Sequence, residues 1–183
     1  MGPARFCTRR SRSIAFQQKL RGGLGDLVLQ AIEIAKRVGM RLILAAAEGE
    51  YYREKIAPLV DGRHIVYYGE ADVAAKVKLY GGARALLYPI QAREPFGLVL
   101  AEAMACGTPV AALDRGAVRE VVDEGVTGMV FDDLEQMIND LPRVFDLDRR
   151  RVREQAVARF GVARMVDEYI AVYTRLVEAH RGR

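Results

Sequence analysis

From residue 26 onward the apolar positions fall into two alternating patterns, stripes at helical spacing and short unbroken runs. Residues 26–38 carry Leu27, Leu29, Ile32, Ile34 and Ala35 as a helical stripe, with Gly39 as its stop. Further helices are predicted over 51–60, 72–80 (stopped by Gly81-Gly82), 97–106, 117–124, 134–141, 149–160 and 162–181. Between them lie the runs HIVYY at 64–68, ARALLY at 83–88, TPVAAL at 108–113 and GMVF at 128–131. RLILAAA at 41–47 is too short and too poor in β-branched residues to assign alone, but Gly39 and Gly49 flank it. The stretch 1–20 matches no known pattern, and two readings of it stay open: an irregular first strand at Ile14-Ala15-Phe16, or an artefact of where the domain was cut.

Strands apolar throughout are buried on both faces, and helices between them supply right-handed parallel crossovers. The expected fold is therefore α/β, a Rossmann-like doubly wound parallel sheet of about six strands in three layers. The expected organisation is a basic segment over 1–25, which could include an irregular first strand, and one Rossmann-like domain over 26–183. In such sheets ligands lie beyond the carboxyl ends of the strands, so the loops at 48–50, 69–71, 89–97 and 114–117 hold the candidate chemistry.

Composition narrows the classes. The 183 residues are 51% hydrophobic, enough for a core, and the net charge is +4. Arg5, Arg9, Arg10, Arg12, Lys19 and Arg21 stand in the first 25 residues without one acid, so the remainder is net negative. The body is thus not a nucleic-acid binder by charge, and the basic run reads first as a solvated tail, with an RNA-binding arm as the alternative. No uncharged run is long enough to span a membrane. Cys7 and Cys106 form no disulfide framework or zinc motif, and no apolar run follows the basic residues as in a secretory signal, so a reduced, cytoplasmic setting is expected.

The segment YPIQAREPFGLVLAEAMACGTPVAA, residues 88–112, is the most informative. Pro95 disfavours the α conformation at Glu94, Gly97 permits close backbone approach, and the first amides of the helix that follows suit a phosphate. In LVLAEAMAC, residues 98–106, only Glu102 is polar. A helix apolar on nearly every side is expected to be buried, and its carboxylate then needs a partner. A distant basic side chain, backbone N–H groups or the hydroxyls of a ligand, such as a ribose diol, would each serve.

Other features carry less. Gly22-Gly23-Leu24-Gly25 lacks dinucleotide-fingerprint spacing, and there is no P-loop motif. His64 and His180 have no metal-ligand neighbours, Cys106 is expected to pack rather than react, and no metal or other cofactor is expected. Tyr51-Tyr52 and Tyr67-Tyr68 read as core or pocket wall, and Arg149-Arg150-Arg151 as a solvated helix face.

Glu94-Pro95-Phe96-Gly97, then Glu102, then Gly107-Thr108-Pro109-Val110 resembles the paired-glutamate signature of retaining GT-B glycosyltransferases, in particular family 4, the group 1 transferases. The likeness continues through residues 115–122 and 124–128 and covers about 27–175, the carboxy-terminal, donor-binding half of that fold. It implies that Glu94 contacts the donor sugar near the reacting centre and that the amides of Phe96, Gly97 and Leu98 hold sugar and diphosphate. It further implies that Glu102 binds the ribose and that the strand end at Tyr67–Glu70, with Tyr68, lies by the nucleobase. The expected partners are a nucleoside-diphosphate sugar and a missing amino-terminal acceptor-binding half, with membrane association only through that half. The pattern departs where the family places an arginine and a lysine five residues apart, because the ungapped match puts Arg21 and Asp26 there. Either Lys19 and Arg21 supply the charge through a shifted loop, or donor activation is impaired. Two functions follow as expectations: a retaining sugar transferase acting by electrostatic stabilisation, or a non-catalytic nucleotide-sugar-binding module. A GT-B-fold epimerase shares the architecture, but the EPFG loop argues against it.

Overall fold

The computed structural model describes residues 13–17, 25–92 and 94–181. Its six strands are β1 (Ser13–Gln17), β2 (Arg41–Ala45), β3 (Ile65–Gly69), β4 (Leu86–Tyr88), β5 (Val110–Leu113) and β6 (Gly128–Phe131). They form one parallel sheet in the order β3-β2-β1-β4-β5-β6. The doubly wound expectation holds, strand number included. Ile14-Ala15-Phe16 lies in an inner, regular strand, not an irregular one: Ser13–Gln17 runs in unbroken register with Arg41–Ala45, and Ala15 pairs with Leu86 on the other side. Its residues are buried on both faces, which is why an apolar tripeptide without alternation sits at the centre.

Helices α1 (Gly25–Arg37) and α5 (Leu134–Val144) pack together on one face. Helices α2 (Val73–Gly82), α3 (Leu98–Ala105) and α6 (Arg149–Phe160) pack on the other. Asp72 and Asp133 cap α2 and α5 by accepting the amides of Ala75 and Gln136. The expected helix at 51–60 is instead a π-helical turn, Tyr52–Ile56, followed by a 3-10 turn, Ala57–Leu59, because Pro58 cannot donate into an α-helical ladder. α2 does not stop before Gly81-Gly82 but runs through both glycines, since Arg149 answers the carbonyls at its end.

Helix α4 (Val118–Val121) is one turn long. Helix α7 (Val162–Arg181) packs on α6, and none of its residues is buried. Strand order reverses between β1 and β4, so the loop at 89–97 leaves the sheet at the switch point, where a crevice opens beyond the strand ends.

Candidate functional site

Strand β4 ends at Tyr88, which is buried and marks the floor of the site. Burial raises its phenol pKa, and the nearby charge of Glu94 raises it further, so the hydroxyl stays protonated through the neutral range. Glu94 is held by its backbone: its N–H donates to the Ala92 carbonyl at 3.0 Å, and its own carbonyl accepts the Ala117 amide at 3.1 Å.

Gly97 then takes a left-handed conformation, φ 77°, and caps α3 without a side chain. A Cβ there would lie 3.0 Å from the Tyr88 hydroxyl and 3.1 Å from Leu100 Cδ1, so the chain needs glycine for space as well as for φ. The Leu100 amide bends back to the Gly97 carbonyl at 2.9 Å. The amides of Leu98 and Val99 come before any α-helical bond, and no side chain caps them. They form the positive end of a helix dipole opening at the sheet's carboxyl edge. Phe96 is 39% exposed and sets its ring edge-on to Phe160, 5.7 Å between centroids.

The expectation of a wholly buried α3 fails. Only Leu100, Ala103 and Met104 are buried, while Leu98 is 71% exposed and the Glu102 side chain 41%. Its buried side chains pack on the sheet and α6, while its other residues keep solvent contact. The partner of Glu102 is Lys76 of α2, whose ammonium donates to both carboxylate oxygens at 3.0 Å. Of the three partners considered for this carboxylate, the distant basic side chain is therefore present.

Tyr68 is half exposed on β3. Its neighbour Tyr67 faces inward, stacks on Tyr52 at 3.9 Å and donates to the Ala46 carbonyl. With Phe16, Val28, Leu44 and Ile56 this pair lines a small apolar recess, which meets the core or pocket-wall expectation for Tyr52 and Tyr67 but not for the half-exposed Tyr68. Arg21 lies outside the described residues, as does the Asp26 side chain.

Among the described residues no three His, Cys, Asp or Glu gather as metal ligands, and no helix is long and apolar enough to cross a membrane. Burial raises the Cys106 thiol pKa, which suits packing rather than nucleophilic attack. The solvated-face reading of Arg149 is wrong. Its guanidinium turns inward to the carbonyls of Ala83 and Gly81 and to Thr108 Oγ1, because α2 ends there with carbonyls that need donors. The sequence reading also missed Lys76 and Phe160. Lys76 lies one turn past the Asp72 cap, the position from which α2 reaches α3. Phe160 is an aromatic residue at a helix end, followed by glycine.

A parallel sheet with this strand order and a glycine-capped phosphate-type loop at its switch point defines a Rossmann-like nucleotide-binding unit. Residues 25–157 match the model of the family glycosyl transferases group 1, and the chain belongs to that family. It is 36% identical over 113 residues to D-inositol 3-phosphate glycosyltransferase 1 of Catenulispora acidiphila, 57% of this chain and 26% of that protein. The D-inositol 3-phosphate glycosyltransferase of Mycolicibacterium smegmatis is 29% identical over 170 residues, 86% of this chain and 38% of that protein. Among solved structures, AviGT4, a glycosyltransferase of avilamycin A biosynthesis, superposes with a TM-score of 0.73 at 27% identity, covering 92% of this chain and 52% of that one. The chain thus spans about half the length of that structure and less of the two curated relatives.

Proposed function

We propose that this chain is the donor-binding half of a retaining glycosyltransferase, which moves a sugar from a nucleoside diphosphate to an acceptor. The observation that carries the reading is the uncapped start of α3 at the switch point, with Glu94 before it and Glu102 after it. The amides of Phe96, Gly97 and Leu98 would hold the sugar and diphosphate. Negative charge builds on the diphosphate as it leaves, and preorganised N–H groups at a helix start stabilise it without reorganising. Arg21 would add a full positive charge. Glu94 would hold the sugar hydroxyls and face the oxocarbenium-like carbon. Glu102 would take the ribose diol, and Tyr68 would lie by the base. One relative of the same fold, HepE of Anabaena, has been solved with UDP and glucose, so UDP is the first nucleotide to test.

The partner in this reading is an amino-terminal acceptor-binding half; the nucleotide-sugar domain takes in residues 26–183 together with β1, the strand contributed by the basic segment 1–25. Helix α7 supports it: Tyr169, Ile170, Tyr173 and Leu176 are all more than half exposed, an apolar face that its own sheet does not cover. We place the reaction in the cytoplasm, where nucleotide sugars and reduced thiols coexist. A non-catalytic binding module is the second reading, favoured by Asp26 at the position the family gives to a lysine. Calorimetry with UDP-, GDP- and ADP-sugars, followed by single-turnover donor hydrolysis with and without a supplied amino-terminal half, separates the two. Binding with cleavage supports the transferase, binding without cleavage the module, and no binding overturns both.

A further inference from the structure

The loop at 94–97 is gripped from two sides, and both grips lead to the end of α6. On one side the Glu94 carbonyl accepts the Ala117 amide, at the start of the single turn α4. The far end of that turn is tied down by Arg159, whose guanidinium donates to the carbonyls of Glu120 and Val121 and pairs with Asp123. Gln155, one turn earlier on α6, holds the other Asp123 oxygen at 2.8 Å. On the other side Phe160, the residue after Arg159, meets the ring of Phe96 edge-on at 5.7 Å, with ring planes at 88°. Arg159 itself stands over the Phe160 ring at 5.0 Å, so the guanidinium that holds α4 also holds this aromatic side chain. The contacts close into a circuit: Glu94, Ala117, α4, Arg159, Phe160, Phe96.

The chain turns sharply where this circuit closes. A Cβ on Gly161 would come within 2.6 Å of the Val157 carbonyl, so only glycine lets α6 end there and α7 leave at once. Phe160 is partly buried against the core, whereas every residue of α7 beyond Gly161 stays unburied. The aromatic contact therefore sits at the hinge between a fixed helix and an exposed one.

We infer that Phe160 is a positioning residue for the donor loop: its ring sets Phe96, and through it the backbone at 96–98 whose amides would meet the diphosphate. This rests on the donor reading of that loop, but its mechanical part does not need a ligand. An edge-to-face aromatic pair is worth about three- to tenfold in an equilibrium, enough to shift a loop between held and released states.

The test uses the full chain with Phe160→Ala, Phe160→Leu and Phe160→Tyr. Amide hydrogen exchange is read along the whole chain without ligand, and UDP affinity is read by calorimetry. Phe160→Ala is expected to speed exchange at the hydrogen-bonded amides of Glu94, Leu100 and Ala117 by about three- to tenfold while β4 and β5 keep their protection, and to weaken UDP by a similar factor. Phe160→Tyr keeps the ring edge and should restore both. Phe160→Leu keeps apolar bulk without the ring, so it carries the test should Phe160→Ala fail to fold, and it should behave as the alanine variant does. Unchanged exchange at the amides of Glu94, Leu100 and Ala117 in the leucine variant overturns the inference. So does a uniform rise over the whole domain, which marks a merely structural residue. Faster exchange confined to the loop in a protein whose native form binds no nucleotide supports the positioning role and overturns the donor reading instead.

Discussion

The ammonium of Lys76 stands 3.0 Å from each carboxylate oxygen of Glu102, joining α2 to α3 beside the loop that starts at Glu94. Both side chains keep solvent contact, 25% for the lysine and 41% for the glutamate. The pair therefore adds little to stability, under about 1 kcal/mol. Its effect is directional: one point charge centred between the two oxygens fixes the carboxylate plane, and each oxygen keeps a further lone pair for a diol.

Glu102→Ala should weaken nucleotide binding about ten- to hundredfold, the worth of hydrogen bonds to a charged group, while the melting temperature hardly moves. Lys76→Ala should cost about threefold in the native background and nothing further in Glu102→Ala, since the lysine acts only through the carboxylate. Calorimetry on the four proteins of this cycle measures both. Tighter binding in Lys76→Ala would mean that the lysine competes with the ribose rather than orienting its receptor.

Gly97 and Gly125 share a left-handed backbone, φ 77° and 72°, but differ in space. Around Gly125 a Cβ would meet nothing within 4 Å, whereas at Gly97 it meets Tyr88 and Leu100. Gly125→Ala should therefore cost only the conformational penalty, about 1 kcal/mol. Gly97→Ala should cost that plus the displacement of a buried tyrosine, about 2–4 kcal/mol in all. Urea unfolding of both variants gives the comparison, and equal losses would show that the packing around Gly97 yields freely.

The sheet was legible because its strands are uniformly apolar and glycines or prolines punctuate them; GMVF appears at its expected bounds, 128–131. The loop was legible because Pro95 and Gly97 each have a local backbone reason. The burial of α3 was misread because apolar composition cannot say whether a neighbour covers a helix, and Leu98 is open where no neighbour stands. Lys76, Arg149 and Phe160 act on residues 26, 68 and 64 positions away, and local spacing does not encode such pairs.

Arg149 is the donor that lets α2 run into two glycines. Removing it leaves the carbonyls of Gly81 and Ala83 without their guanidinium in a part-buried site. Each such loss costs about 1–3 kcal/mol, so Arg149→Met should destabilise the domain by about 2–4 kcal/mol. The Arg150 side chain makes an exposed contact with Glu154, so Arg150→Ala should stay within about 0.5 kcal/mol. Thermal melts of the two variants check the contrast.

Asp61 carries the pH dependence of the turn into β3. Its carboxylate accepts the amides of Ile65, Arg63 and His64, and these bonds, that of Ile65 foremost, hold its pKa well below the usual carboxylate value. A pKa lower in the folded than in the unfolded state gives stability that is fully present above about pH 4 and is lost as the pH falls through the folded value. Asp61→Asn should thus lower the melting temperature at pH 7, and the gap to the native protein should close on acidification towards pH 2. A gap independent of pH would assign the effect to geometry rather than charge.

Helix α7 separates stability from association. Ile170 is 57% exposed, between Tyr169 at 57% and Tyr173 at 62%, so a charge there stays in contact with solvent. Ile170→Glu should leave the melting temperature of the isolated chain within about a degree, as surface changes within about 0.5 kcal/mol do. The same substitution should abolish binding to an amino-terminal half supplied in trans, because a charge buried without a partner at a docked apolar face costs several kcal/mol, on the order of a hundredfold or more in affinity. Ultracentrifugation of the mixed halves reads the association, and a differential scan of the chain alone reads the stability. If the melting temperature falls by many degrees, the helix packs on its own domain and its apolar face is not an interface. If it holds and association also holds, the second half docks elsewhere on the domain.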